Sequence, residues 1–297
     1  MVRCGVLVQP LVNLLRDRLL ESGYVRMDET TVQVLKEPGK TAQSTSYMWV
    51  KQSGERDRPV VPYDYAPTRA GEVPLALLDG LRGFLQTDGY AGYHAVVAAQ
   101  GLTAVYCFAH ARRYFTDALK ALGMNPGRLP DKPPDKARRP LRAIGFIAQL
   151  YAIERRLRTE PAEVRYEVRQ SASLPVLRAL REWLDAQRPK VVPESVLGKA
   201  LAYLDRHWAG LTRYCDDGRL EIDNNRCENA IRPFVTGRKN WLFSDTVHGA
   251  KASANLYSLV ETAKANGLEP YAYLRRVFTE LPAATTVADI EALLPWA

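Results

Sequence analysis

Residues 24–35 read YVRMDETTVQVL, a run in which strand-forming side chains recur at every second position. Tyr24–Met27 and Thr31–Leu35 both alternate with a period of two residues, which is typical of β-strands. Asp28 lies between these two segments, so a carboxylate falls inside a strand-like run. The stretch therefore predicts a strand that carries an acidic side chain.

Further strand-forming segments follow in the next thirty residues. Tyr47–Val50 and Val60–Tyr63 are rich in aromatic and β-branched residues, which favour strands. Gly39 and Gly54 separate the segments as turn residues. We predict an antiparallel meander of three strands, and another strand at residues 102–106.

Helical periodicity of the apolar residues dominates the chain from residue 110 onward. A helix over residues 223–231 should end before Pro233, because the residue before a proline disfavours the α region. A proline-rich loop is predicted at residues 127–134. The other predicted helices lie around residues 11–19 and at 70–82, 111–122, 138–158, 161–185, 194–208, 249–265 and 270–280.

Composition indicates a globular protein. The chain has 297 residues, of which 46% are hydrophobic and 25% charged, so wholesale disorder is excluded. The four cysteines are too few and too scattered for a disulfide framework, which favours a reducing, cytoplasmic setting. No apolar run approaches the roughly 18 residues of a membrane-spanning helix, and the N-terminus lacks the pattern of a signal peptide.

The net charge of +8 permits a polyanionic partner without proving one. Residues 110–169 hold 14 Lys or Arg against 7 Asp or Glu, so most of the excess lies there. Two interpretations remain open. The segment is either a solvated helical surface or a surface that contacts phosphates.

Several chemistries lack their local signatures. The chain has no G-x-G-x-x-G, G-x-x-x-x-G-K-[ST], G-x-S-x-G, H-E-x-x-H or C-x-x-C motif. Cys107 and His110 have metal-ligand spacing, but they supply only two of the four ligands of a structural zinc site. Nucleotide-dependent, serine-hydrolase and zinc-protease functions are therefore not indicated.

Three acidic residues lie near the ends of predicted elements: Asp28, Asp88 and Glu228. Carboxylates on neighbouring strands and a nearby helix can converge on hard divalent cations. Two such ions could clamp the attacking and leaving oxygens of a phosphodiester. Simpler explanations also exist, since acidic residues are common at strand ends. Glu228 could complete a capping box with Asn225 or form an i,i+4 ion pair with Arg232.

Five longer motifs make a more specific pattern than the acidic residues alone. In their order along the chain and in their residues they resemble the transposase of the bacterial insertion sequence 66 family. The resemblance covers roughly residues 10–297. The motifs lie at residues 27–35, 87–93, 107–115, 223–233 and 237–243, with weaker similarity at 256–259 and 293–296.

The resemblance implies a mixed α/β fold, namely a ribonuclease-H-like core with an all-helical insertion and a helical C-terminal segment. The expected segments are an N-terminal helix (1–23), the first part of the core (24–109), the insertion (110–222), the last part of the core (223–265) and the C-terminal segment (266–297).

The resemblance also implies that Asp28, Asp88 and Glu228 form a DDE triad that binds two Mg²⁺ or Mn²⁺ ions. The implied reaction is metal-dependent DNA strand cleavage at transposon ends, followed by attack of the freed 3′-hydroxyl on target DNA. Cys107 and His110 are expected to shape or support the site. Implied partners are transposon-end and target DNA, accessory proteins of the same element and a second copy of the chain in the DNA complex, with no membrane.

Basic residues within the motifs are candidates for contacts with DNA phosphates, which supply sequence-independent affinity. Each could equally be an ordinary surface charge. Trp241 could stack on an unpaired base, although a core position suits it better. The basic candidates are Arg112, Arg113, Arg232, Arg238 and Lys239.

The resemblance implies a longer N-terminal region with a cysteine-rich zinc module, which the residues before Asp28 do not resemble. We therefore expect an N-terminally truncated transposase. Two other hypotheses stay open: a catalytically inactive remnant that only binds DNA, and a ribonuclease-H-like nuclease with another substrate, such as branched DNA or an RNA–DNA hybrid.

Overall fold

The computed structural model describes residues 1–128 and 130–297, so Leu129, within the predicted loop, lies outside the described residues. The chain divides into two compact units. Unit one comprises Met1–Ala104 and Asn225–Ala297, and unit two comprises Val105–Asn224. The predicted mixed α/β fold class is confirmed.

Among the described residues, a mixed sheet of six strands lies in unit one except for the last two residues of β5. Its order is β3-β2-β1-β4-β5, and β6 also pairs with β1. β1 is antiparallel to β2 and β2 to β3, whereas β4 and β6 run parallel to β1. The strands are β1 (Tyr24–Lys36), β2 (Thr45–Ser53), β3 (Tyr63–Ala66), β4 (Phe84–Thr87), β5 (Thr103–Tyr106) and β6 (Ser244–Thr246).

The predicted three-stranded meander is confirmed, and the two alternating segments of residues 24–35 form one strand, β1. The third strand lies later than the predicted residues 60–63, because β3 begins only at Tyr63. Pro59 and Pro62 have no N–H to donate to a strand ladder. The amide of Val61 donates to the Thr262 hydroxyl instead (3.0 Å).

Helices surround the sheet and make up most of unit two. Those of unit one are α1 (Val2–Leu7), α2 (Gln9–Glu21), α3 (Glu72–Leu77), α4 (His94–Gln100), α11 (Asn225–Trp241), α12 (Val247–Ala265), α13 (Pro270–Glu280) and α14 (Val287–Glu291). Those of unit two are α5 (Phe108–Lys120), α6 (Arg138–Arg156), α7 (Ala162–Val168), α8 (Leu174–Gln187), α9 (Val196–Arg206) and α10 (Trp208–Thr212).

Three helix predictions need correction. The helix predicted at 70–82 is only α3, which ends before Gly80, where φ is +83°. The single helix predicted at 161–185 is α7 and α8, separated by a π-helical segment at Arg169–Ser173. Pro233 does not end α11 but lies inside it. The buried side chains of α11 on both sides of the proline, among them Ile231 and Phe234, offset the lost backbone hydrogen bond.

The two faces of the sheet pack against different apolar clusters. Val32, Met48 and Val50 share one cluster with Cys227, Ile231 and Phe234, so α11 covers that face. Val25, Met27, Trp49, Leu85 and Tyr93 belong to the cluster on the opposite face. Because side chains alternate along a strand, the even-numbered residues of β1 point towards α11 and the odd-numbered residues point away.

Unit two contains a buried ion cluster. Arg169 is fully buried, and its guanidinium donates to both carboxylate oxygens of Glu154 at 2.8 and 2.6 Å. Arg165, also buried, lies 3.2 Å from a carboxylate oxygen of Glu221. Across the described part of the chain, no helix is both long and apolar enough to span a membrane.

Candidate active site

Asp28 lies on β1, and Asp88 directly follows the last residue of the neighbouring parallel strand β4. Residues 24–26 of β1 pair in order with residues 84–86 of β4, where the recorded pairing ends. Adjacent strands lie about 4.8 Å apart, and the charge of Asp88 is close enough to raise the pKa of Asp28. The end of β4 therefore brings the Asp88 carboxylate near Asp28.

Glu228 belongs to the helix that covers the same face. The Cys227 thiol donates to the carbonyl oxygen of Val50 at 3.6 Å, and Val50 is the antiparallel partner of Asp28 in β2. Asp28 and Val50 therefore share the face covered by α11. The contact seats the first turn of α11 beside Asp28, and Glu228 is the next residue.

The electrostatics of Asp28 record this convergence. Burial and, to a smaller extent, the charges of Glu29, Glu228 and Asp88 together raise its pKa to about 7, while the backbone N–H of Glu29 opposes the shift. That N–H donates to Asp28 Oδ1 at 2.9 Å. A group of mutually repelling carboxylates matches the all-oxygen ligand set that Mg²⁺ and Mn²⁺ prefer. The residues present therefore fit a divalent cation.

A second set of polar residues surrounds the two aspartates. Glu29 accepts hydrogen bonds from the Tyr93 hydroxyl and the Arg69 guanidinium. Arg69 lies over the Tyr90 ring, with its Cζ 3.7 Å from the ring centroid. The Tyr90 amide donates to Asp88 Oδ1 at 2.8 Å. The sequence carries no signal for this set as a whole. The tyrosines lie inside the motif at residues 87–93, whereas Arg69 lies in a loop with no recognisable pattern.

Comparison with known proteins identifies the family of this chain. The model of the family described as "Transposase IS66 family" matches residues 1–252, and that of the "IS66 C-terminal element" matches residues 258–296. The chain belongs to the IS66 transposase family. The resemblance inferred from the sequence motifs is thus confirmed.

Relatives of this transposase-family chain occur in Sinorhizobium fredii strain NGR234. "Uncharacterized protein y4jD" is 32% identical over 301 residues, a match that covers 97% of this chain and 56% of the relative. "Uncharacterized protein y4qI" is 30% identical over 304 residues, covering 98% of this chain and 54% of the relative. The chain therefore spans about half the length of the curated relatives it matches. No solved structure matches it.

Glu228 is half-buried, and Arg232, its alternative partner on α11, is exposed. Of the other predicted α11 residues, Arg238 donates to the Thr30 hydroxyl at 3.1 Å, and Lys239 is exposed. Trp241 is partly buried and packs against Phe234, with 5.3 Å between ring centroids. These contacts favour a packing role for Trp241.

The remaining predicted residues belong to unit two, at the start of α5. Cys107 is buried, and its Sγ accepts a hydrogen bond from the amide of Asn224 at 3.2 Å. His110 is half-buried, and Arg112 and Arg113 are exposed. The Cys107 contact ties the start of α5 to the last residue of unit two, which is consistent with a structural role for this cysteine.

Proposed function

We propose that the chain is the catalytic domain of a DDE transposase that cleaves and joins DNA strands with divalent metal ions. One observation carries the proposal. The charge of Asp88, the residue that follows β4, is close enough to raise the pKa of Asp28, and the Cys227 contact with Val50 supports a position of Glu228 near the same face. The sheet and its flanking helices would then be a ribonuclease-H-like core.

In this proposal Asp28, Asp88 and Glu228 hold two Mg²⁺ or Mn²⁺ ions. When bound, the ions would supply positive charge to the reacting phosphate and lower the pKa of an attacking water or hydroxyl. The protein orients three carboxylates and excludes part of the solvent, as the raised pKa of Asp28 indicates. Phosphoryl transfer depends mainly on such positioning and charge neutralisation.

The proposed substrates are transposon ends and target DNA. Family membership and the net charge of +8 support a DNA partner. Arg112, Arg113, Arg232 and Lys239 are exposed and thus accessible to phosphates. We further propose that the chain acts as a homodimer in the DNA complex, together with accessory proteins of its element, in the cytoplasm where its substrate lies.

Nicking of a plasmid that carries the transposon ends tests the proposal, with Mg²⁺ or Mn²⁺ in the buffer. Asp28→Asn, Asp88→Asn and Glu228→Gln should each abolish nicking. Asp245→Asn removes an exposed carboxylate on β6 and should leave nicking unchanged. Full activity in the three variants would contradict the triad.

Two further outcomes separate the proposal from its alternatives. Salt-dependent DNA binding without cleavage under any metal would support a DNA-binding remnant. Preferential cleavage of an RNA–DNA hybrid or of branched DNA in a competition assay would instead support a nuclease with another substrate.

A further inference from the structure

Glu29 is the residue after Asp28, yet its side chain points to the opposite face of the sheet. Its strand partner Trp49 and its hydrogen-bond partner Tyr93 both belong to the apolar cluster on that face. Only 3% of the Glu29 side chain is exposed. A carboxylate therefore lies among apolar side chains directly behind the proposed cation site.

Stability alone does not account for this buried charge. Burial raises the pKa of Glu29, although the hydrogen bonds from Tyr93 and Arg69 oppose the shift. Glu29 is also the first of the charges that raise the pKa of Asp28. Buried ion pairs stabilise proteins weakly, since desolvation offsets the attraction between the charges. An apolar residue would pack at position 29 without this repulsion.

The partners of Glu29 connect it to the turn that follows Asp88. Arg69 pairs with Glu29 and stacks on the Tyr90 ring. Tyr93 donates a hydrogen bond to Glu29 and meets the Tyr90 ring edge-on, with 6.2 Å between the ring centroids. The Tyr90 amide in turn donates to Asp88 Oδ1. Arg69 and Tyr93 therefore each connect Glu29, the residue after Asp28, to Tyr90 in the turn that carries Asp88.

The turn itself is shaped to accept the Tyr90 ring. Gly89 has φ +88°, a conformation that costs other residues strain. A Cβ added at Gly92 would lie 2.3 Å from Cε1 of Tyr90, so only glycine leaves room for the ring. The ring is therefore confined between Gly92 and the Arg69 guanidinium.

We propose that Arg69, Glu29 and Tyr93 form a positioning network. The network holds the turn that carries Asp88 beside Asp28 and so preorganises the two carboxylates for a divalent cation. The inference rests on the proposed function, because it assigns a task to residues around that site. The three residues act through Asp28 and Asp88 and are not themselves proposed as ligands.

The test measures Mn²⁺ affinity of the full chain by calorimetry for Tyr93→Phe and Arg69→Lys. Tyr93→Phe removes one hydroxyl, and Arg69→Lys keeps the charge but loses the planar group that stacks on Tyr90. Groups that orient metal ligands typically contribute about 10–100-fold to affinity, so we expect each variant to bind Mn²⁺ at least about 10-fold more weakly. The effects of Tyr93→Phe and Arg69→Lys on Mn²⁺ affinity should be non-additive in the double variant, since both residues bond the same carboxylate.

Matched controls separate positioning from simple destabilisation. Tyr273→Phe removes another buried tyrosine hydroxyl, which donates to the carbonyl of Leu293 at 2.9 Å. Arg16→Lys alters a similarly placed guanidinium, paired with the largely buried Asp64. Each control should lower the melting temperature about as much as its counterpart and leave Mn²⁺ affinity unchanged. Equal Mn²⁺ affinity in the wild type and in both network variants would overturn the network.

A second measurement needs no metal. Amide hydrogen exchange at Tyr90 in the metal-free chain should be faster in Tyr93→Phe and Arg69→Lys but not in the controls, because each network variant loses a contact that holds the turn to Glu29. Unchanged exchange at Tyr90 would overturn the network whatever the metal result. If the wild type binds no Mn²⁺ while exchange at Tyr90 responds as expected, the proposed function fails and the structural link between Glu29 and the turn stands.

Discussion

Asp28 on β1 lies close enough to Asp88, the residue that follows β4, for the charge of Asp88 to raise the pKa of Asp28. Two neighbouring carboxylates repel each other whenever both are ionised. The pKa of Asp28, about 7, includes that repulsion together with burial. The carboxylates proposed to bind the metal ions therefore destabilise the folded chain when no metal is bound.

We expect Asp28→Asn to increase the stability of the metal-free chain at pH 8. The substitution keeps the side-chain shape and removes a charge whose pKa burial and like charges raise. One pKa unit corresponds to about 1.4 kcal/mol, so a gain of about 1 kcal/mol or more should appear in urea unfolding. Asp245→Asn, at an exposed position, should change stability little. A less stable Asp28→Asn chain would contradict the repulsion.

The stability of the metal-free chain should depend on pH through Asp28. Its pKa is about 7 when folded and near 3.8 when unfolded, so the folded state binds more protons between these values. The free energy of unfolding should consequently fall as pH rises from about 4 to about 7 and level off above. Glu29, whose pKa is also raised, acts in the same direction. Unfolding at several pH values checks this, and Asp28→Asn should flatten the profile.

Mn²⁺ affinity should rise with pH, whereas the stability of the metal-free chain should fall. A cation competes with the proton on Asp28, so affinity should rise with pH until the carboxyl is ionised near pH 7 and then level off. Calorimetric titrations between pH 5.5 and 8.5 measure the profile in buffers that do not bind the metal. Affinity that stays constant across this range would show that Asp28 does not take part in binding.

Gly89→Ala and Gly39→Ala form a matched pair. Both glycines have positive φ, +88° and +78°, but only Gly89 follows Asp88. Each substitution should cost about 1–2 kcal/mol of stability from backbone strain. Only Gly89→Ala should also weaken Mn²⁺ binding, because it deforms the turn that carries the carboxylate. Equal Mn²⁺ affinities for the two variants would remove the link between turn geometry and the site.

A larger side chain at Cys227 should disturb the site from the helix side. Cys227 is fully buried against Val50, so Cys227→Phe should overpack the contact at a cost of about 1–3 kcal/mol and displace Glu228. Mn²⁺ affinity and nicking should fall together. Cys215→Phe overpacks an equally buried cysteine of unit two and should destabilise the chain with Mn²⁺ affinity retained.

The local patterns of the sequence predicted the centre of the sheet and the longest helices. The alternation of residues 24–35 survives in the structure because one face of β1 belongs to the apolar cluster that contains Val50 and the other face to the cluster that contains Trp49, so the pattern reports burial directly. Helix α6 follows its apolar periodicity in the same way. The family motifs then identified Asp28, Asp88 and Glu228 as candidates.

The errors arise where distant contacts override local preference. Pro233 lies within α11 because side chains on both sides of it pack on the sheet. The amides of Val60 and Val61 donate to the side chains of Ser53 and Thr262, so only the carbonyls of this segment pair with β2 and the regular strand starts later. Arg69 had no sequence signal at all, since its role depends on Glu29, forty residues away in the chain. Such relations arise only in the folded chain.

The opposite orientation of Asp28 and Glu29 limits which insertions and deletions β1 can tolerate. Gain or loss of a single residue between Tyr24 and Asp28 would turn every following side chain to the other face of the sheet. Loss of a residue would put Glu29, and gain of a residue would put Met27, in the place of Asp28 beneath α11. Length changes within this part of β1 would therefore remove Asp28 from the proposed site, while the turn around Gly39 can vary in length.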